Sequence, residues 1–205
     1  MDHPTIDSST TGHTIGLSSV DYSVHNSVSR LTSYTGLMIT VTATIVALAR
    51  FYLLQNSILP RVYSSATLNN LSGTQRRSFI NHHMAASLKI VLLATAIYPL
   101  FAILSGSAAP STPLSPGSRA TAGDLLIISC QIFTVMYLFE LFFRDEISPI
   151  SCAHHIGAII IAQSAVAMSF DPKHQRDALF ELLLCFLWGK CKVVQSKKVS
   201  LMVFV

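Results

Sequence analysis

The sequence predicts an all-α protein, a multi-pass bundle of transmembrane helices, and three observations carry that prediction. Of 205 residues, 51% are hydrophobic and only 12% are charged, about half the charge of an average soluble domain. The mean hydropathy of the whole chain is positive, at +0.52, so the polar surface that a soluble globule needs is missing. The apolar residues also fall in long unbroken runs, whereas a membrane barrel alternates over segments of about ten residues. Only helices and closed barrels satisfy their backbone inside hydrocarbon, so these runs are helices. The same composition excludes a largely disordered chain. Four cysteines without framework spacing exclude a small disulfide-stapled scaffold.

A span needs about 20 apolar residues, and four stretches reach that length: 31–54, 86–105, 124–143 and 150–170. The first has no charge before Arg50. The second carries Lys89 one turn inside its start. The third contains Glu140, and the fourth contains His154 and His155. A fifth stretch, 178–189, has only 12 residues and runs into Lys190-Cys191-Lys192, too short to cross alone. Residues 1–30 hold seven Ser and four Thr with no apolar period, and read as a disordered tail. No basic segment followed by an apolar one opens the chain, so the first span is expected to act as its own insertion signal. Residues 105–123 contain five Ser, three Pro and three Gly, the composition of a flexible linker. The link Arg144-Asp145-Glu146-Ile147-Ser148 is short, which makes the third and fourth spans antiparallel neighbours. Pro149 suits the first turn of the fourth. The expected organisation is a tail over 1–30, a membrane domain over 31–189 and an atypical basic segment over 190–205.

Orientation follows from Lys and Arg. With the N-terminus outside, ten of the 14 face the cytoplasm and four the other side. Asn70-Leu71-Ser72 is a glycosylation acceptor by pattern, but in this orientation it faces the cytoplasm and stays bare. Basic residues against anionic headgroups account for the pI of about 9.0 without any nucleic acid.

Ionisable residues inside a span are costly and need a reason. In a hairpin turning near Ile147, Glu140 falls at the depth of His154, and Gln131 at the depth of Gln163. Glu140, His154 and His155 then share one layer, about a turn inside the membrane edge. Adjacent residues lie about 100° apart on a helix, so only one histidine points straight at Glu140, and the other faces a further helix. Gln131 is nine residues from Glu140 and is expected on nearly the opposite face, outside that layer. A carboxylate beside an imidazole holds the ring in one tautomer. Such a ring can take a proton from a hydroxyl, amine or thiol, as acyl transfer to a small acceptor requires. His154, His155 and Glu140 are therefore the candidate catalytic group. The alternative is a buried hydrogen-bonded pair that holds two helices together.

His82-His83 precedes the second span on the same side. Four histidines and a carboxylate could hold a metal, but the simpler reading seats these rings at headgroup level, and no metal site is assigned. The sequence has no phosphate loop, GxSxG or HExxH, and calls for no cofactor. The cysteines lack paired spacing, although Cys191 between two lysines suits palmitoylation. Tyr98-Pro99 marks a kink in the second span.

The stretch Tyr137-Leu138-Phe139-Glu140-Leu141-Phe142-Phe143-Arg144, then Ser148-Pro149, then His154-His155-Ile156-Gly157, resembles the centre of a TLC domain. This is the homology domain shared by ceramide synthases, translocation-associated membrane proteins and orphan lipid-linked membrane proteins. Arg77-Ser78-Phe79-Ile80-Asn81-His82-His83 resembles the approach to that domain's early helices. The resemblance covers roughly residues 34–189 and is greatest to fungal orphan members. It implies a lipid-linked function at the endoplasmic reticulum, with membrane lipids and an acyl-chain or sphingoid-like ligand as partners. It carries over His154 and His155 as the family's functional pair. The paired aspartates that ceramide synthases place in a later helix are absent, which argues against ceramide synthesis. The change of composition after Gly189 is expected to mark a truncated or misread C-terminus. Two functions stand open: lipid binding or sensing without catalysis, and a lipid-modifying, acyltransferase-like enzyme.

Overall fold

The computed structural model describes residues 28–144, 147–171 and 173–186. Within them the chain is all-α. Four helices are long and apolar enough to cross a membrane: Arg30–Val62 (α1), Gly73–Leu104 (α2), Ala122–Phe143 (α3) and Pro149–Met168 (α4). A further helix covers residues 175–186 (α5). The protein is an integral membrane protein. The expected tail up to residue 27, the end of the fifth apolar stretch, Cys191 and the segment 190–205 lie outside the described residues.

Two spans are longer than the apolar runs predict. α1 opens with a 3-10 turn, Arg30–Tyr34, capped by the Ser29 hydroxyl. It is α-helical over Thr35–Leu48, π-helical over Ala49–Ile58 and ends in an α-turn, Leu59–Val62. Pro60 does not stop it, because proline falls in the first turn of that last piece, where its missing N–H is least needed. Extended backbone at Tyr63 ends the helix. α2 begins at Gly73, well before residue 86, because Ser72 and Gln75 form a reciprocal capping box, which satisfies two otherwise orphaned N–H groups. His82 and His83 therefore lie inside α2 and not ahead of it. α3 and α4 match their predicted spans within two residues at each end. Pro149 opens α4 after the Ser148 cap, as expected.

α3 is the centre of the bundle, with α1, α2 and α4 packed on it. Leu126, Ile127 and Val135 of α3 are buried with Leu100 of α2, Ala162 and Ala165 of α4 and Leu182 of α5. The small alanines let α4 approach closely, so that the Cys130 thiol reaches the Ala162 carbonyl at 3.7 Å.

The segment between α2 and α3 is not structureless. Backbone bonds Ala108 N–Ala102 O, Leu114 N–Ala120 O and Ala122 N–Thr112 O fold it back on itself. Gly106 and Gly117 take the turns at φ +73° and +80°, which a side chain would resist. The expected tail also ends earlier than residue 30. Val28 and Ser29 are buried, the Ser29 hydroxyl donates to Asp124 Oδ1 at 2.5 Å, and the Val28 carbonyl lies where a Gly123 Cβ would stand, 1.9 Å away. Asp124 also caps α3 through the Thr121 N–H, so one carboxylate both starts the helix and seats the chain that leads into α1.

Candidate functional site

α3 presents polar side chains toward its neighbours at several depths. Near its start stands Asp124. In mid-span the Ser129 hydroxyl donates to Thr95 Oγ1 of α2 at 3.0 Å. Gln163 Nε2 of α4 donates to Gln131 Oε1 at 3.2 Å and to Thr134 Oγ1 at 2.8 Å. The hairpin thus has the register that brings Gln131 to Gln163. Both Gln131 and Glu140 nevertheless reach α4. Cys130, Thr134 and Tyr137 form the stripe of α3 that meets α4. Gln131 and Glu140 flank it on opposite sides, and their long side chains reach round it. Gln131 is fully buried, and its amide nitrogen has no hydrogen-bond partner.

The candidate layer lies near the end of α3. His155 Nε2 stands 3.1 Å from Glu140 Oε2, with side-chain exposures of 6% and 19%. With the carboxylate ionised, and so only accepting, Nε2 carries the hydrogen and donates it. The depth argument pairs Glu140 with His154, but the rotation of α4 brings in its neighbour. His154 also keeps a contact with α3. Its ring meets Tyr137 edge-on at 5.9 Å, while that of His155 meets Tyr137 at 4.9 Å. All three candidates, His154, His155 and Glu140, therefore gather around the last turns of α3.

A second cluster closes the same end of α3 and has no counterpart in the expected site. Arg50, buried although it lies in the π-helical stretch of α1, donates from Nε to Asn81 Oδ1 of α2 at 3.1 Å. Asn81 Nδ2 donates to the Phe143 carbonyl, one of the carbonyls a helix end leaves unpaired. The guanidinium lies 4.6 Å from the centre of the Phe143 ring and 4.9 Å from that of Phe51. A cation at a helix C-terminus and over aromatic faces is stabilised twice. The sequence signal was an arginine inside an apolar run, with an asparagine at the same membrane edge in the next helix.

His83 belongs to neither cluster. A carbonyl only accepts, so Nδ1 donates to Phe79 O at 3.0 Å, and Nε2 accepts from the Tyr63 hydroxyl at 2.8 Å. Its ring packs on those of Phe79 and Tyr63. Among the described residues no three His, Cys, Asp or Glu side chains gather as a metal would need, so the four histidines and Glu140 do not form one group. An open groove of about 480 Å³ lies along Ile97, Tyr98, Phe101, Ala102, Ser105 and Ser107. It sits at the C-terminal end of α2, the opposite end of the bundle from the His155–Glu140 pair.

Comparison with family models, with curated proteins and with solved structures finds no match in any of the three.

Proposed function

We propose that this chain is a lipid-binding or lipid-sensing membrane protein of lipid homeostasis, in which the His155–Glu140 layer orders the bundle. The observation that carries this reading is the closure of the layer. The His155 side chain is 6% exposed and is held between Glu140 and Tyr137, which suits a clamp between helices better than a base that must meet a substrate. The sequence resemblance to TLC domains supports a link to lipids and to the endoplasmic reticulum, with an acyl-chain or sphingoid-like ligand. A second reading, a lipid-modifying enzyme using His154 and His155, is favoured by the hydrogen bond itself, since a carboxylate that orients an imidazole is the usual support of a general base.

Abundance and cellular lipid profile, measured together in His154→Ala, His155→Ala and Glu140→Gln/His155→Ala, separate the two. The clamp reading expects His155→Ala to lower abundance, the added Glu140→Gln to restore part of it, and the lipid profile to follow abundance. An enzyme expects normal abundance with a profile as altered as in a deletion, because a general base contributes about 10²–10⁴ in rate. Photoactivatable sphingoid and acyl lipids should label the protein in membranes. Labelling no greater than that of an unrelated multi-pass protein would sink lipid binding.

A further inference from the structure

The bundle marks both edges of the bilayer it crosses. Ser29 meets Asp124 at one end of α3, and Arg50 and Asn81 meet Phe143 at the other. The 19 steps from Asp124 to Phe143 make about 29 Å at ~1.5 Å per residue, the thickness of a hydrocarbon core. α1 and α2 continue past Arg50 and Asn81, to Val62 and back to Gly73.

Where the extension of α1 runs is fixed by α2. Arg50 touches Asn81, and Tyr63, 13 residues later, touches Phe79 and His83. Thirteen residues of straight helix would separate those ends by about 20 Å, yet both reach one short stretch of α2. Residues 51–62 therefore run obliquely across α2 at the membrane edge and do not climb away from it. They expose Tyr52, Leu53 and Val62 at 68%, 55% and 65%, side chains that need an apolar partner at that level. Arg61, Arg76 and Arg77 are exposed as well. Arg76 and Arg77 precede Asn81 by five and four residues, which puts them about 6–8 Å outside the edge, at headgroup depth. Between Asp21 and Asp124 the sequence has no Asp or Glu at all.

We infer that residues 51–79 form an interfacial seat for anionic phospholipid headgroups of the bilayer that the protein spans. Tyr52, Leu53 and Val62 enter the acyl boundary, and Arg61 and Arg76 meet the phosphates. Apolar residues beside basic ones in a segment lying in the membrane plane are what such a surface recognises. Residues 51–79 themselves contain no Asp or Glu, while Asp145 and Glu146 follow Phe143 in the sequence. This inference is independent of any role for His155 and Glu140.

The full chain, reconstituted in equal parts phosphatidylcholine and phosphatidylserine and then transferred to detergent, is assayed for retained lipid by native mass spectrometry. Phosphatidylserine should be retained preferentially, and the preference should fall about fivefold or less for each arginine neutralised. It should be lost in Arg61→Gln/Arg76→Gln and kept in the corresponding double lysine variant, which shows that charge and not folding is read. A fluorophore on Val62→Cys should be quenched by shallow brominated lipid, more strongly in the mixed membrane than in phosphatidylcholine alone. Equal retention of the two lipids, a preference that survives the glutamine variant, or an unquenched label would overturn the inference.

Discussion

Removing the His155 ring is the most direct test of the layer that joins α3 to α4. In His155→Ala the Glu140 carboxylate loses the donor now 3.1 Å away, and Tyr137 loses the ring against its edge. Interhelical hydrogen bonds in membranes average about 0.6 kcal/mol and reach about 1.7, and a charged acceptor pushes toward the upper end. Glu140 keeps 19% of its side-chain surface open, so it recovers part of its solvation and the penalty stays below that of a sealed charge. A coupling energy of about 1–2 kcal/mol between the two side chains follows. It is read from a double-mutant cycle of wild type, His155→Ala, Glu140→Gln and the double variant, unfolded in mixed micelles with increasing denaturing detergent. The double variant should be less destabilised than the two single costs added together, because a neutral amide tolerates burial without a partner better than a carboxylate does. Additivity within about 0.5 kcal/mol would show that the pair contributes no coupling and that the layer does not hold the helices together.

Other consequences of the packing are open to similar tests. Gln163→Leu should cost about 1 kcal/mol in detergent unfolding, because Gln131 and Thr134 lose their shared donor, while Gln131→Leu/Gln163→Leu should regain most of it, since removing both partners is nearly neutral. Gly123→Ala puts a Cβ onto the Val28 carbonyl, so protease should cut the chain before α1 faster, with about 1–3 kcal/mol lost from the bundle. Beyond α4, the Lys173 N–H and then His174 hold the exposed Asp171 carboxyl below the ordinary carboxylate value. Its contribution to the turn is therefore present above about pH 4 and lost as pH falls through the lowered value, so exchange of the Lys173 amide should quicken in acid, and Asp171→Asn should abolish that dependence.

The parts of this molecule that were legible in the sequence are those decided locally. α3 and α4 have sharp caps, a short link and unbroken apolarity, so both their limits and the depth of Gln131 against Gln163 could be read from spacing. The layer of Glu140 with a histidine follows from depth as well. Which histidine faces Glu140 does not, because depth along a helix leaves its rotation free until packing sets it, and a rotation of about 100° exchanges His154 for His155. The extensions of α1 and α2 escaped a criterion that counts apolar residues, since caps and hydrogen bonds, with no regard to hydropathy, decide where a helix starts and stops. The Arg50–Asn81–Phe143 cluster joins three helices across long sequence separations, and no local pattern announces such a meeting.

The central place of α3 also bears on how the protein is made. A nascent chain delivers α1 and α2 to the bilayer before the helix that both pack on has left the ribosome. They must wait side by side in lipid, with Arg50 already on Asn81 but without the Phe143 ring, until α3 emerges. Glu140 then waits in its turn, because His155 follows it by 15 residues. Biogenesis thus passes through a stage in which a carboxylate has entered the membrane region without its imidazole, and a chaperone or the translocation channel itself has reason to hold α3 until α4 arrives.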